Sequence, residues 1–438
     1  MLHVTGHYER HIWEPDLAAY PPTRALRSGF AYQAFIPDRI AGQNWSLSSE
    51  VMDDVVRAEV AIQNLNAFPH LPGIEAMSRF LLRAESISSS QIEGLTVSQR
   101  RLAQALYDPA LATDVARSIA GNILAMERGI EIGARADRLA VDDICSIHYG
   151  LLCDTPYSGI AGLLRTEQNW IGGRLPAPLD AEYIPPPPEY VPDLLEDLVQ
   201  FCERDDLPPV LQAAIAHAQF ETVHPFIDGN GRVGRALIHV VLRRRGAVTV
   251  FVPPVSNVLA AHGDHYIAGL TGYRAGDVAG WTVLFSQAIQ AAATRADALA
   301  RTITQLQTEW LARIAGTRSH ATARRLIELL PGRPVLDAKR ASELTGISTV
   351  STRKGFDLLQ QVGAVRLLKS DARRGKIWVA DEFLGVLNAF EWHLAESTAE
   401  GARRRAPQVT RTSLERYLEA LRAGTTGGSV SDHATNED

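Results

Sequence analysis

Apolar residues recur at helical spacing along most of this chain. From Ser48 onward, valine, isoleucine and leucine fall near the 3.6-residue period of an amphipathic helix. The same pattern covers residues 74–86, 97–153 with breaks near 108 and 134, 191–204, 210–222 and 231–245. It therefore predicts a mainly α protein. Residues 1–45 are aromatic and proline-containing without a clear period, which indicates an extended lead-in.

Two later segments depart from the helical pattern. Between Gly159 and Pro188 the chain holds paired glycines at 172–173 and then six prolines, which favours a short β-hairpin or an irregular flap. The C-terminal segment 400–438 contains one predicted helix, Ser413 to Arg422. From Gly424 it is rich in Gly, Ser and Thr, a composition typical of disorder.

The segment before that tail predicts three helices followed by two strands. The first helix covers 320–330, and the two strands cover 364–368 and 376–380. Asp337 would cap the second helix, with Ala341 and Leu344 facing inward. Ser348 would cap the third helix, whose buried face would consist of Thr352, Phe356, Leu359 and Val362. Lys369, Arg373 and Arg374 would lie in the wing between the strands. This order resembles a winged helix, so we predict a winged-helix domain over 317–385.

Composition excludes several classes of protein. The 438 residues carry 44 basic and 50 acidic side chains, a net charge of −6, and 46% are hydrophobic, as is usual for globular domains. A uniformly basic nucleic-acid binder is therefore excluded. No stretch approaches the ~20 apolar residues of a membrane span, and the first residues do not resemble a signal peptide. Three cysteines without a CxxC pair argue against a disulfide framework or zinc site. We expect a cytoplasmic protein without a membrane partner.

Positive charge is nevertheless concentrated in one module. Residues 317–380 hold 13 basic and 5 acidic side chains, a net +8, whereas the remainder of the chain carries −14. Such segregation predicts a polyanionic partner, with DNA as the hypothesis for 317–380. The alternatives are a solvated basic surface without a partner and a module for protein docking or dimerisation.

The stretch HPFIDGNGRVGR, from His224 to Arg235, carries the most chemistry. Pro225 disfavours helix at the preceding residue, so the helix before the loop should end at His224. Gly229 and Gly231 permit a turn whose N–H groups form an anion nest, and the N-terminus of the next helix also favours an anion.

Charged groups around this loop point to a phosphate ligand. Arg232 and Arg235 are three residues apart and share one helix face, and two guanidinium groups suit a polyphosphate. Asp228 is a natural Mg²⁺ ligand because Mg²⁺ takes one or two carboxylates together with phosphate oxygens. His224 is the nearby group that can accept a proton at neutral pH.

The same twelve residues match the Fic-family pattern HxFx(D/E)GNGRxxR at every fixed position. The stretches AHAQFETVHPF, RTEQNWIGG and YIPPPPEYVPDLLEDL also resemble Fic-domain sequence. The resemblance covers about residues 47–292 and implies a Fic-type helical bundle, with an N-terminal helical region at 1–114 and a catalytic domain at 115–295.

The family resemblance also implies an activity. Most Fic proteins transfer AMP from ATP to a Ser, Thr or Tyr hydroxyl of a protein, and release pyrophosphate. The partner would then be a protein with a hydroxyl side chain, or the chain itself, and a homodimer stays open. Transfer of UMP or phosphate is one alternative. A DNA-binding regulator with a nucleotide-sensing Fic domain is another.

The resemblance assigns roles to individual residues. His224 would be the catalytic base and Asp228 would hold Mg²⁺. The ATP-binding residues would be Glu93, Ile171, Asp228, Gly229, Asn230, Gly231, Arg232, Val233, Gly234, Arg235, His265 and Tyr266. Ile171 lies in a segment that resembles the family flap, which pairs with a target strand, although a plain surface hairpin is an alternative. His265-Tyr266 lies where many members have Tyr-Tyr beside adenine; a core role for Tyr266 is the alternative.

Residues 89–94, SSQIEG, resemble the family's inhibitory motif (S/T)xxxE(G/N). Ser89 to Glu93 spans one helical turn, and Gly94 can end the helix. The resemblance implies that Glu93 pairs with Arg235 and competes with the γ-phosphate of ATP. A solvated glutamate at a helix end is the alternative.

Overall fold

The computed structural model describes residues 6–14, 29–67, 74–97, 102, 112–135, 137–175, 177–316, 320–371, 375–396 and 411–426. These residues are mainly helical, as predicted. The chain divides into two compact units. The first comprises Met1–Val60, Glu85–Thr249 and His262–Ile289; the second comprises Ala61–Ala84, Val250–Ala261 and Gln290–Asp438.

The elements of the N-terminal and middle parts follow a simple order. They are β1 Gly6–Trp13, β2 Phe30–Pro37, α1 Ser49–Asn66, α2 Ile74–Ile92, α3 Asp114–Gly133, α4 Val141–Leu152, α5 Val191–Cys202, α6 Pro209–Val223, α7 Asn230–Arg244, α8 Val255–Ala261, α9 Gly263–Arg274 and α10 Val278–Ile314. The helices at 191–204, 210–222 and 231–245 are thus confirmed to within a residue or two.

Helix α6 lies at the centre of the first unit. Every residue from Val210 to Val223 is buried, which is why the helix has apolar residues on all sides rather than on one face. Helix α3 approaches α4 closely because Gly121 lacks a side chain: a Cβ there would lie 2.3 Å from the Leu151 carbonyl oxygen. The last residue of α6, Val223, and the first residue of α7, Asn230, are buried as well.

The extended lead-in is in fact a hairpin. Strands β1 and β2 pair antiparallel from Gly6 opposite Pro37 to Trp13 opposite Phe30. Aromatic side chains stack across the pair, with the Trp13 and Phe30 ring centroids 5.1 Å apart, and such cross-strand pairs stabilise a sheet. The sequence pattern missed this pairing because 16 residues separate the strands and provide no tight-turn signal.

The flap is less regular than the predicted hairpin. Among its described residues, pairing is limited to one antiparallel bridge between Ile171 and Tyr183, and a short 3₁₀ helix lies between them at Pro178–Asp180. Prolines lack the N–H that a ladder of hydrogen bonds requires, which accounts for the irregular backbone. The irregular flap is therefore the correct alternative.

Helix α2 is longer than its apolar pattern indicated. It continues past Ser86 to Ile92, and Ser86, Ser88, Ser89 and Ser90 are buried. The run of serines looks like a surface segment in the sequence, but the Ser90 hydroxyl donates to the Ser86 carbonyl at 3.0 Å. The predicted helical stretch from Val97 resolves into α3 and α4, and residues 103–111 lie outside the described part.

The C-terminal elements belong to the second unit. They are α11 His320–Leu329, β3 Val335–Asp337, α12 Ala338–Thr345, α13 Thr349–Gln361, β4 Arg366–Asp371, β5 Gly375–Val379, α14 Asp381–Glu396 and α15 Arg411–Thr426. The strands form one antiparallel sheet in the order β3-β5-β4. Arg373, Arg374 and the tail 427–438 lie outside the described residues, so the wing and the disordered tail stay predictions. Helix α15 does, however, extend beyond Gly424, where disorder was expected to begin.

The predicted helix caps are present in this unit. The Asp337 carboxylate accepts from the Arg340 N–H at 2.8 Å, and the Ser348 hydroxyl accepts from the Ser351 N–H at 3.2 Å. Phe356 is fully buried, but Leu344 is 37% exposed, so its inward orientation was wrong. Across the described residues, no helix is long and apolar enough to cross a membrane. The winged-helix assignment stays a prediction.

Candidate active site

The twelve-residue loop connects the buried helix α6 to α7. Helix α6 ends at Val223, and His224 adopts a left-handed conformation with φ 51° and ψ 61°. The loop closes at Asn230, whose side-chain amide accepts from the Phe226 N–H at 2.8 Å and donates to the Phe226 carbonyl at 2.7 Å. Gly229, with φ 82°, turns the chain into α7. The predicted end of one helix at His224 and start of the next are confirmed.

The imidazole of His224 is suited to accept a proton. Its side chain is 17% exposed. Burial, supported by the nearby charge of Arg165, lowers the pKa of His224 to about 4. The ring is therefore neutral at pH 7, which is the state a general base requires. Its Nδ1 lies 3.9 Å from a carboxylate oxygen of Glu221, too far for a direct hydrogen bond.

Two buried guanidinium groups extend from the first two turns of α7. Arg235 is 1% exposed and Arg232 is 4% exposed. Arg232 donates to the Ser118 hydroxyl at 2.7 Å and lies 3.6 Å from the Asp228 carboxylate. Buried arginines with few fixed anionic partners beside a helix N-terminus form a strong site for phosphate groups.

The end of α2 occupies part of this site. Arg235 donates to the Ser89 hydroxyl at 2.9 Å, to the Ser89 carbonyl at 2.8 Å, and to the Glu93 carboxylate at 2.8 Å. A Cβ at Gly231 would lie 2.2 Å from that same carboxylate oxygen, so Glu93 sits against the N-terminus of α7. Gly94, with φ 74°, ends α2 as predicted.

The Glu93 carboxylate is ionised in this position. Burial opposes its ionisation, but the charge of Arg235 and the hydrogen bond from it outweigh burial, and the pKa of Glu93 lies below its ordinary value. The same pairing raises the pKa of Arg235 despite its burial. The turn that carries Glu93 is also held by Asn122, which donates to the Ser86 carbonyl at 2.8 Å and to the Ser90 hydroxyl at 3.1 Å.

Asp228 is the residue of the loop that could hold Mg²⁺. The Asp228 side chain is 48% exposed, and one of its oxygens accepts from the Gly229 N–H at 2.7 Å. A single accessible carboxylate beside a phosphate nest is the environment that Mg²⁺ uses with nucleotides. No cluster of three or more His, Cys, Asp or Glu side chains suited to an all-protein metal cage occurs among the described residues.

The other predicted nucleotide contacts differ in accessibility. The Tyr266 side chain is buried, and its hydroxyl lies 2.9 Å from His217 Nε2, whereas His265 is exposed. The arrangement favours the core role for Tyr266. The Val233 side chain is fully buried, and a Cβ at Gly234 would lie 2.4 Å from the Glu221 carboxylate. Neither residue presents a side chain to a ligand; Val233 is enclosed in the core, and Gly234 lets α7 pack closely against Glu221 of α6.

Arg165 and His148 are among the side chains that hold the loop and that sequence reasoning missed. Arg165, 3% exposed, donates to the His224 carbonyl at 2.9 Å. His148 accepts from the Gly162 N–H at 2.9 Å through Nδ1, so its Nε2 carries the proton and donates to the Asp228 carbonyl at 3.0 Å. Burial lowers the pKa of His148 to about 4, which keeps this tautomer neutral. Arg165 lies within the Fic-like stretch RTEQNWIGG, which was the available signal.

Comparison with known protein families agrees with this geometry. Residues 138–242 match the model of the Fic/DOC family, and residues 52–131 match the model of the Fic/DOC family N-terminal region. Together these segments contain His224, the loop up to Arg235, and Glu93.

Relatives and solved structures of the same family are also similar to the chain. Protein adenylyltransferase fic-1 of Caenorhabditis elegans is 35% identical over 121 residues, 27% of this chain and 22% of that protein. Protein adenylyltransferase Fic of Drosophila willistoni is 28% identical over 190 residues, 42% of this chain and 33% of that protein. The chain thus spans between a fifth and a third of the length of these relatives.

Among solved structures, C. elegans Fic-1 has a TM-score of 0.48 and 21% identity over 58% of this chain and 74% of that chain. A Fic family protein from Desulfovibrio desulfuricans has a TM-score of 0.47 and 19% identity over 77% of this chain and 97% of that chain. The two matching family models cover the complete HxFxDGNGRxxR loop and the helices around it, so residues 52–131 and 138–242 of the chain are similar to the Fic/DOC family.

Proposed function

We propose that the protein is an autoinhibited protein adenylyltransferase. It moves AMP from ATP to a Ser, Thr or Tyr hydroxyl of a protein and releases pyrophosphate. The observation that carries this proposal is the neutral His224 at one end of a phosphate-binding loop, with the buried Arg235 at the other end held by Glu93. The names of the curated relatives support the same activity.

Each part of the loop has a distinct task in this reaction. His224 takes the proton from the target hydroxyl as it attacks the α-phosphorus in line. The N–H groups at the start of α7, with Arg232 and Arg235, bind the phosphates. Asp228 would hold Mg²⁺, which neutralises phosphate charge when bound. Positioning and charge neutralisation supply most of the rate in such transfers.

Inhibition would act through the γ-phosphate position. Arg235 can serve one anion well, and the tethered Glu93 carboxylate already occupies it at 2.8 Å. ATP that enters beside Glu93 would place its γ-phosphate elsewhere, and the α-phosphorus would then be out of line with the hydroxyl. Small misplacements of this kind lower rates strongly.

The flap would receive the target. The Ile171–Tyr183 bridge holds the flap closed on itself, which leaves the outer edge of residues 170–173 for an extended target segment. The exposed His265 would lie towards the adenine. The three unpaired cysteines support a cytoplasmic setting, where thiols stay reduced.

One experiment tests the reaction and identifies the group. Cell lysate is incubated with the purified protein, Mg²⁺ and ATP labelled on the α-phosphate, and modified peptides are identified by mass spectrometry. AMP on a hydroxyl side chain supports the proposal. A different mass would indicate UMP or phosphate transfer when the matching nucleotide is supplied. Absence of any label, even after Glu93→Gly, would contradict a transferase.

A second candidate function is DNA binding by the basic module. Helix α13 exposes Val350, which is 65% exposed, together with Arg353 and Lys354, and residues 317–380 carry a net +8. This surface supports a winged helix whose basic groups contact DNA phosphates. A protein-docking or dimerisation module is the competing proposal for the same residues.

A further inference from the structure

The backbone of the catalytic histidine requires support from its surroundings. Among the described residues, His224 is the only non-glycine residue with a positive φ. A side chain rarely adopts this left-handed conformation, and it persists only where neighbouring groups over-determine it. The hydrogen bonds to this part of the backbone therefore set the direction of the imidazole.

One short segment supplies those hydrogen bonds. Three successive carbonyl oxygens, those of residues 224, 225 and 226, accept from the segment 165–169. Arg165 donates through its side chain to His224 at 2.9 Å and through its backbone N–H to Pro225 at 3.0 Å. The Asn169 amide donates to the His224 carbonyl at 3.3 Å and to the Phe226 carbonyl at 2.9 Å.

The same segment also holds the second arm of the flap. The Gln168 amide donates to the Pro185 carbonyl at 2.9 Å, and Arg165 donates to the Pro186 carbonyl. Two residues beyond Asn169, the Ile171 N–H donates to the Tyr183 carbonyl at 2.8 Å. The catalytic loop and the flap thus share a single anchoring segment.

Asparagine is chemically suited to this position. Its planar amide presents two N–H donors, so one uncharged group can bond two carbonyls at once. The Asn169 Oδ1 atom is buried and makes no hydrogen bond. The reversed amide would direct this oxygen at two carbonyl oxygens and lose both bonds, so the donor orientation is the stable one.

We propose that Asn169 is a positioning residue for His224. It holds the carbonyls on either side of Pro225, so that the imidazole keeps its direction when a target engages the flap. Asn169 does not touch the reacting atoms, and its effect is exerted through the backbone of His224. The inference rests on the proposed adenylyl transfer and deepens it.

The test uses the full chain in the Glu93→Gly background, where transfer is expected to be fastest. Asn169→Ala should lower kcat for AMP transfer by about ten- to a hundredfold, the usual effect of a misplaced catalytic group. The KM for ATP should stay within about twofold, because the phosphate loop keeps its own contacts through Asn230 and α7. Thr166→Ala is the matched control, since Thr166 lies in the same segment but is exposed to solvent, and its kcat should be retained.

A second measurement needs no activity. Hydrogen exchange of the amides in residues 224–230 should become faster in Asn169→Ala and in Asn169→Asp, and should be unchanged in Thr166→Ala. Asp keeps the size of the side chain but loses both N–H donors. If the alanine variant does not fold, the exchange rates of Asn169→Asp therefore test the role of the two donors. If the Glu93→Gly parent transfers no AMP, the proposed function fails, but hydrogen exchange still tests whether Asn169 holds the backbone of His224. Unchanged kcat and exchange in both Asn169 variants, or equal losses in Thr166→Ala, would overturn the inference.

Discussion

Replacement of Glu93 by glycine should activate AMP transfer strongly. The substitution removes the carboxylate that occupies Arg235 at 2.8 Å. It leaves the loop from His224 to Arg235 intact. Arg235 keeps its two bonds to Ser89, so the guanidinium stays in place and becomes available to the γ-phosphate.

The size of the effect follows from the bond that is lost. A hydrogen bond to a charged group contributes about 1.5–3 kcal/mol, which corresponds to roughly ten- to a hundredfold in an equilibrium. The Glu93 side chain is 39% exposed, so solvent screening favours the lower half of this range. Tethering strengthens the competition of Glu93 with the γ-phosphate for Arg235, since a linked group competes at an effective concentration of roughly millimolar. We therefore expect at least about a tenfold rise in rate at millimolar ATP.

The assay measures label from α-labelled ATP on the chain itself and on lysate proteins. Glycine also loosens a helix, and Gln91→Gly controls for this, because Gln91 lies on the same final turn of α2 and is exposed. This control should keep the low wild-type rate. Arg235→Ala should stay inactive, since it removes the partner of the γ-phosphate together with the partner of Glu93.

Three results would refute the reasoning. Equal rates for wild type and Glu93→Gly would remove the inhibitory role. Activation by Gln91→Gly to the same extent would show that loosening the helix, and not loss of the carboxylate, raises the rate. Label that persists in Glu93→Gly combined with His224→Ala would come from chemistry elsewhere.

Four further predictions follow. His224→Ala should abolish transfer yet keep ATP affinity within about threefold, because the loop N–H groups and arginines bind the phosphates; a fully active variant in a rate assay would contradict the role of the base. Transfer by Glu93→Gly should persist to about pH 5 and fall only below about pH 4, since His224 must stay neutral to accept a proton and loss of the Glu93 charge lowers its pKa further. The thermal unfolding midpoint should decrease as the pH is lowered from 6.5 to 4. The folded pKa values of His148 and His224 lie below the unfolded value, so protons bind the unfolded chain more tightly in this range. A midpoint that stays constant across this range in calorimetry would contradict the burial of the two histidines. The full chain should bind long mixed-sequence DNA with an affinity that drops by orders of magnitude between about 50 and 200 mM salt, and Arg353→Glu with Lys354→Glu should remove binding; no gel shift at low salt would favour a docking module.

Much of the site could be predicted because its chemistry is local in sequence. Pro225 ends one helix, Gly229 permits the turn, and the helix that follows supplies N–H groups, all within a few residues. The caps at Asp337 and Ser348 were predictable for the same reason, since a cap bonds to a backbone group two or three residues away. Glu93 and Arg235 lie 142 positions apart in the chain, and only the family resemblance suggested that they pair.

Other elements could not be predicted from spacing. The β1–β2 hairpin depends on aromatic pairs that meet across 16 intervening residues. The serine run in α2 appears as a surface segment until Asn122 and Arg235 are seen to satisfy its polar groups. Leu344 fits an inward helical position in the sequence but faces solvent, because α12 is short and packs through Ala341.

The sequence by itself determined the mainly helical class and the loop that carries the candidate reacting groups, because helix periodicity, turn glycines and a contiguous anion-binding loop are set by interactions between near neighbours. Tertiary structure decided how those groups are held and which of them already have a charged partner. His224 is neutral because it is buried, its backbone is fixed by Arg165 and Asn169, and Arg235 is occupied by Glu93. Burial, and hydrogen bonds between residues far apart in the chain, arise only when the helices pack, so no local pattern can show them.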